Sequence, residues 1–341
     1  MTSRELVRAA LAGMETPRVP TGPLAVHATA TLAGVRIEDY TLDPTVMVDC
    51  ICRYYERFRP DAVWLSADTW VTAGAMGAAV GFPGPNQPMA GTGETLVRSA
   101  ADISRLPPPD PYSRGRMPLM LEAMRMLRQR LGDDVFIVAC FDQSPFSLAC
   151  ALADINELMM LLVSDPPFVE ALLEPCVAHA TAYATALAGA GADMLSTGDS
   201  PAGMIGPELY QQFALPAERR VFDAVHASCG VPVSLHICGD ARHILDAMAT
   251  SGADVLEIDH LVPLADACRV VPESITLWGN LDPVRVLREG TPGDVQNAAA
   301  EAVATIRSQG RRRFVLSTGC TLVPDTPAEN IAAMGMNRNR P

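Results

Sequence analysis

The chain reads as a single-domain (β/α)8 barrel, and three features of the sequence predict it. Short apolar, β-branched runs alternate with longer helical patterns along the whole chain, as in a parallel sheet covered by helices. Eight such units fit comfortably within 341 residues. Nearly every strand-like run ends in a polar side chain followed by a loop, where barrels carry their working groups. A doubly wound α/β sheet is the alternative for the same alternation. No glycine-rich dinucleotide fingerprint follows an early strand, which argues against it.

The expected strands are RVPTGPLAV (18–26), DAVWLSA (61–67), DVFIVACF (134–141), ADMLST (192–197), PVSLHIC (232–238), DVLEID (254–259), ITLWGN (275–280) and FVLST (314–318). Helical patterns fill 45–58, 117–131, 147–164, 167–188, 207–228, 241–250, 261–270 and 294–309. The opening run, MTSRELVRAALAGMETPRVP, has amphipathic spacing and is expected to form a helical extension to one domain spanning 1–341. It has no continuous apolar core, so it does not look like an export signal. LPPPDP (106–111) is a loop inside the third unit, too short for a domain linker.

Composition narrows the function. The chain is 49% hydrophobic, enough for a large core, and carries a formal charge of −13. Such a surface repels nucleic acid and anionic membranes, so neither is an expected partner. No run of about 18 apolar residues reads as a membrane span. Nine scattered cysteines suit a reducing, cytoplasmic setting and not a disulfide framework. Cys50, Cys52, Cys140, Cys150, Cys176, Cys229 and Cys268 lie in mostly apolar surroundings and read as small core residues. Cys50 and Cys52 fall on a helical pattern, where side chains two apart diverge by about 200° and make a poor metal clip.

His236 and Cys238, in SLHICGD, and Cys320, in VLSTGC, are different. Residues two apart on a strand share a face, so His236 and Cys238 can face one point while Ile237 turns away. Gly239 frees the backbone to turn. Cys320 lies 82 residues beyond Cys238, after Gly319 at the end of the last strand. The fifth and eighth strands of an eight-stranded barrel face each other across its mouth, so the three side chains can converge. Two thiols and an imidazole suit Zn²⁺ and leave a fourth position open. Glu257 and Asp259 share a face of the neighbouring strand, and Asp259, nearer its end, is the favoured fourth donor.

The other strand ends carry His27, Asp68, Asp142 with Gln143, Asp199, Asp259 with His260, and Asn280 with Asp282. Any one of these carboxylates or amides is explained by capping the next helix. The whole ring is harder to explain that way, and His27, Asp68, Asp142, Asp199 and Asn280 are candidates for orienting a substrate. His179, His226 and His243 sit in helical patterns and read as packing or surface residues, and His260 as pointing away from the mouth. The arginines at 311–313 read as a solvated face at the opposite end.

HICGD, GNLDP and STGCTLVPDTPAENI together resemble the uroporphyrinogen decarboxylase superfamily. Within it they are most similar to the zinc-dependent corrinoid methyltransferases, the group that includes methylcobalamin:coenzyme M methyltransferases. RVPTGPL resembles that family's first strand, DAVWLSADTWVTAGAMGAAVGFPGP its second unit, and GPELYQQFALPAERRVFDAV its helix after the fourth strand. The resemblance implies that His236, Cys238 and Cys320 bind zinc and that Asp68 is the acidic residue after the second strand. True uroporphyrinogen decarboxylases carry an Arg-Gln-Ala-Gly run after the first strand, whose arginine grips substrate carboxylates. Here the stretch reads AVHATATLAG, with no arginine.

The resemblance therefore implies methyl transfer between a corrinoid, such as methylcobalamin, and a thiol such as coenzyme M, homocysteine or methanethiol. A zinc-bound thiolate remains nucleophilic at neutral pH, which is what such a transfer needs. The same site serves either direction of transfer, and tetrahydrofolate is an alternative acceptor. The chain lacks the Asp-x-His-x-x-Gly run of cobalamin-binding domains, so the corrinoid is expected on a separate protein. A homodimer is implied by the resemblance alone. The competing reading is a decarboxylase-like lyase without zinc.

Overall fold

In the computed structural model, which describes residues 1–82, 87–91 and 95–335, nine strands form in chain order. They are β1 (Ala62–Leu65), β2 (Val80–Gly81), β3 (Met89–Ala90), β4 (Phe136–Gln143), β5 (Met194–Gly198), β6 (Val233–His236), β7 (Val255–Glu257), β8 (Thr276–Leu281) and β9 (Phe314–Thr318). β2 and β3 pair antiparallel in a small ribbon after the second barrel unit. The other seven make one parallel sheet in the order β1-β4-β5-β6-β7-β8-β9. Helices lie between consecutive strands, the arrangement of a (β/α)8 barrel. The end of the family-like stretch of the second unit, and the last residues of the chain, lie outside the described residues.

The eighth stave is not the nine-residue strand expected at 18–26. Only Thr21 makes a ladder contact, a parallel bridge to Leu316 of β9. Pro20 and Pro23 flank it and have no N–H to donate, so the ladder stops on either side. That one stave still closes the ring. The Thr21 carbonyl accepts from the N–H groups of Asp61 (2.8 Å) and Ala62 (3.2 Å), while Pro20 O and Gly22 N bond to Leu316 (2.9 and 3.0 Å).

Several expected helices are divided. The pattern at 147–164 forms two, Pro145–Ala153 and Ile155–Ser164, bent by 108° at Asp154. Asp154 has φ +66° and caps the second with its carboxylate, which accepts from Asn156 N (2.9 Å). The pattern at 207–228 passes through a π turn at Tyr210–Ala214 before Leu215–Cys229. Among the described residues no single helix is long and apolar enough to cross a membrane.

The barrel interior is filled by alternate strand residues: Ala62 and Trp64, Phe136 and Val138, Met194, Val255, Trp278 and Val315. Val7, on the helix Ser3–Leu11, and Leu24 pack against them. That helix is tied to the barrel by Arg4 and Arg8, both bound to the buried carboxylate of Asp193 (2.6 and 2.9 Å). The arginine run is not simply a solvated face. Arg311 is buried and donates to the carbonyls of Val271 (2.8 Å), Pro272 (2.9 Å) and Ile275, and Arg313 is half-buried against the Leu11 carbonyl. Only Arg312 is exposed.

Gly22 sits where the interior is tightest. Its carbonyl accepts from the indole N–H groups of Trp64 (3.2 Å) and Trp278 (2.9 Å) and from the Ser317 hydroxyl (2.9 Å). The two indoles meet edge to face at 5.9 Å. A Cβ at this position would lie 2.4 Å from Trp278 Cζ2 and 3.1 Å from Ala62 Cβ. Gly22→Ala is therefore expected to destabilise the fold by about 1–3 kcal/mol, as overpacking a rigid core does. Urea unfolding of the two proteins measures this, and equal midpoints would refute it.

Candidate metal centre

β6 ends at His236, which stands beside Glu257 of β7 in register. Its Nδ1 lies 3.0 Å from the Glu257 main-chain carbonyl. A carbonyl only accepts, so Nδ1 carries a proton, and Nε2 is the ring nitrogen that would serve as ligand once it gives up its own. Cys238 lies just past the strand, in a loop that turns at Gly239 (φ +89°). Cys320 follows β9, and Gly319 N–H donates to Leu281 O (2.8 Å). A Cβ on Gly319 would sit 2.4 Å from His260 N, so glycine is what lets this backbone approach and present Cys320.

The three donors converge. His236 Nε2 lies 2.9 Å from Cys238 Sγ, Cys238 Sγ lies 3.7 Å from Cys320 Sγ, and all three atoms fall within 4.8 Å of one another. A tetrahedral zinc with Zn–S near 2.3 Å has S···S edges of about 3.8 Å, so the two sulfurs already stand at the spacing such an ion requires. The N···S edge of such a centre is about 3.6 Å, and the observed 2.9 Å is a hydrogen-bond contact that would open to admit it.

The local electrostatics favour charged sulfur. The Cys320 thiol donates to Cys238, which pulls the Cys238 thiol down to about 4, aided by the nearby His236 imidazole and the Ser200 hydroxyl. The same contact pushes Cys320 up to about 12. Burial alone would lower the His236 value, but the charge and hydrogen bond of Cys238 raise it well above the usual imidazole range. The metal-free site thus holds a Cys238 thiolate between protonated His236 and Cys320, and a cation there would take the place of those protons.

The geometry argues against Asp259 as the fourth donor, contrary to the sequence expectation. Asp259 lies outside the converging group. Its Oδ2 accepts from Gly239 N and its Oδ1 from Leu261 N, both at 2.9 Å. Its carboxylate is spent on fixing the two loops. Glu257 also lies outside that group, and its Oε1 takes the hydroxyls of Ser196 (2.7 Å) and Ser234. Its Oε2 is buried with no partner, and burial raises the carboxyl's pKa while His236 opposes the rise.

The remaining candidates are drawn into contacts with the protein itself. His27 Nε2 lies 2.7 Å from the Ala67 carbonyl. Asp68 accepts from Trp70 N (2.7 Å) and pairs in bidentate fashion with Arg116. Asn280 donates to the carbonyls of Asp259 (3.1 Å) and Val262 (2.8 Å). Asp199 accepts from Ser147 N and Oγ (2.9 and 2.6 Å), and burial raises it to about 6. It shares a proton with Glu218, which burial and the Asp199 charge push well above the usual carboxylate range. Asp142, with φ +66°, accepts from Thr72 N and Oγ1 (2.8 and 3.1 Å). Burial and the neighbouring Asp68 charge push it up to about 8. His260 lies between Asp259 (3.0 Å) and Asp282 (3.5 Å), and its backbone packs against Gly319.

Arg116, Ser200 and Glu218 were not legible as site residues. Arg116 lies 48 positions from Asp68, at the cap of the helix Met117–Leu131, and no local pattern links the two. Cys140 was expected in the core. It is half-buried on β4, on the interior-facing alternation that includes Phe136 and Val138.

Residues 2–339 match the family described as Uroporphyrinogen decarboxylase (URO-D). The chain belongs to that family. Its relatives fall on both sides of a functional divide. It is 28% identical over 298 residues to a Uroporphyrinogen decarboxylase of Synechococcus sp., covering 85% of this chain and 81% of that one. It is 34% identical over 243 residues to the Methylcobamide:CoM methyltransferase MtbA of Methanosarcina acetivorans, covering 70% and 68%. A solved methyltransferase from Methanosarcina mazei superposes with a TM-score of 0.88 at 25% identity, covering 98% of this chain and 97% of that one. Homologues on both sides are enzymes, and the structural likeness supports the corrinoid methyltransferase branch of the URO-D family.

Two outcomes follow from this geometry. Gly319→Ala should displace Cys320 and weaken metal uptake by about 10–100-fold, the scale of a lost outer-shell support. Equilibrium dialysis against Zn²⁺ reads it, and unchanged uptake would count against the convergence. Between the ordinary Asp value and about 8, the folded chain holds a proton on Asp142 that the unfolded chain has released. Stability should therefore fall as pH rises through that window and level off above it. Asp142→Asn, neutral throughout and tolerant of positive φ, should escape the fall and exceed the parent by about 1 kcal/mol or more at pH 9. Parallel urea midpoints from pH 5 to 9 would show that Asp142 is not the group responsible.

Proposed function

We propose that this protein is a corrinoid-dependent methyltransferase that moves a methyl group between a corrinoid, carried on a separate protein, and a small-molecule thiol. The observation that carries this reading is the convergence of His236, Cys238 and Cys320 from the ends of β6 and β9. These three would hold a Zn²⁺, with Glu257 Oε2 as the donor available for the fourth position at rest. When bound there, zinc supplies the Lewis acidity that keeps a sulfur deprotonated yet nucleophilic at neutral pH.

The chain's own groups prepare the site. The Glu257 carbonyl orients His236, the Ser200 hydroxyl bonds the Cys238 sulfur, and Asp259 holds the turn at Gly239. In the transfer proposed, the thiol releases its proton to solvent and its sulfur forms an S–CH₃ bond. The methyl–cobalt bond breaks, and its electron pair stays on cobalt, so Co(III) becomes Co(I). The loops above the strands expose Met204 (72%), Leu261 (52%) and Val284 (39%), an apolar rim suited to an incoming macrocycle and its protein. The relative named MtbA and the structural likeness to the Methanosarcina mazei methyltransferase support the reading.

Decarboxylation of a polycarboxylate is less well supported, despite the relatives of that name. The stretch AVHATATLAG has no arginine, and the guanidinium of Arg116 is taken by Asp68. Tetrahydrofolate as acceptor, and the reverse direction of transfer, are variants that the same centre would serve.

Purified protein should contain about one zinc per chain and methylate at least one of coenzyme M, homocysteine, methanethiol or tetrahydrofolate from free methylcobalamin. His236→Ala and Cys320→Ala should lose the metal. They should also lower the rate by more than about 100-fold, beyond the effect usual for outer-shell partners. Full activity in zinc-free protein would sink the proposal.

A further inference from the structure

A cavity of about 450 Å³ opens at the end of β4, two strands from the metal centre, and its lining includes Trp70, Leu96, Gln143, Ser147, Ala151 and Pro201. Two connections join it to the centre. Pro201 follows Ser200, whose hydroxyl bonds the Cys238 sulfur. Gln143 pairs with Gly198, which pairs in turn with His236. The Gln143 and His236 backbones are thus two strand spacings apart, roughly 10 Å, a gap that their side chains and a short substrate tail can bridge.

The chemistry of the lining is selective. Most of it is apolar, and no Lys, Arg or His occurs among its described residues. Its one carboxylate, on Asp154, caps a helix. Gln143 Oε1 is buried and accepts from nothing, an expensive state for an amide oxygen unless a ligand supplies the donor. The guanidinium of Arg116 is held by Asp68. A sulfonate or carboxylate tail would find no cation here. A plain alkyl tail would leave the amide oxygen unpaired.

We infer that this cavity receives the tail of the sulfur-bearing substrate, and that it selects an uncharged tail with an N–H or O–H donor over an anionic one. The inference rests on the methyltransferase reading for the sulfur. It adds a substrate class, and it disfavours coenzyme M, whose tail is a sulfonate.

Thiol binding to Co(II)-loaded protein, followed through the sulfur-to-cobalt charge-transfer absorption, tests it without any methyl transfer. N-acetylcysteamine, whose tail is an amide, should bind at least about tenfold more tightly than coenzyme M or butanethiol, the discrimination expected where a buried acceptor is otherwise left unpaired. Gln143→Leu should abolish the preference for the amide over the alkyl tail. Ala151→Trp, which fills the cavity, should weaken the amide thiol alone. Coenzyme M binding as tightly as N-acetylcysteamine, or a preference that survives Gln143→Leu, overturns the inference and leaves the methyltransferase reading standing. Protein that takes up no cobalt overturns the methyltransferase reading. The cavity is then tested by calorimetry with S-methyl-N-acetylcysteamine: binding lost in Ala151→Trp supports it, and no binding to the parent overturns it.

Discussion

Thr21 and Gly22 stand between β9 and β1, and the rest of the molecule depends on the closure they make. Without them a seven-stranded parallel sheet would end in two open edges. Four main-chain hydrogen bonds join the edges through this short segment. Three further donors, from Trp64, Trp278 and Ser317, converge on the single carbonyl of Gly22. Closure is also what brings the end of β9 round to face the end of β6. Cys320 can reach Cys238 only because the sheet has become a ring.

A second constraint works at the other end of the strands. Asp259 and His260 lie between the loops that carry the two cysteines. The Asp259 carboxylate takes the N–H of Gly239, next to Cys238, and the His260 backbone packs against Gly319, next to Cys320. One dipeptide thus contacts the neighbour of each thiol, and the 3.7 Å separation of the sulfurs follows from a hydrogen bond on one side and a steric limit on the other. Asp259 acts on this centre through backbone placement. Glu257, two residues earlier, keeps a free oxygen turned inward.

Several carboxyl groups are buried near the strand ends. Asp142, Asp199, Glu218 and Glu257 are all buried there, and each is pushed toward its protonated form. They are held by hydroxyls and backbone N–H groups, not by cations. The Asp68–Arg116 pair is the exception.

The sequence alone determined the class of fold and the identity of the soft donors. Alternating periodicity predicts the barrel, and His-x-Cys with a distant Gly-Cys names three side chains, because both patterns are written in local spacing. The tertiary structure decided what depends on distant partners. It reduced the first stave to Thr21, since prolines limit a ladder that only β9 could complete. It favoured Glu257 over Asp259, because the carboxylate left unpaired is known only once every donor around it has been placed. It also paired Arg116, buried Arg311 and set His260 beside Asp282, through partners 48, 40 and 22 residues away. Spacing along a chain shows which residues can share a face, and only the closed barrel shows which of them meet.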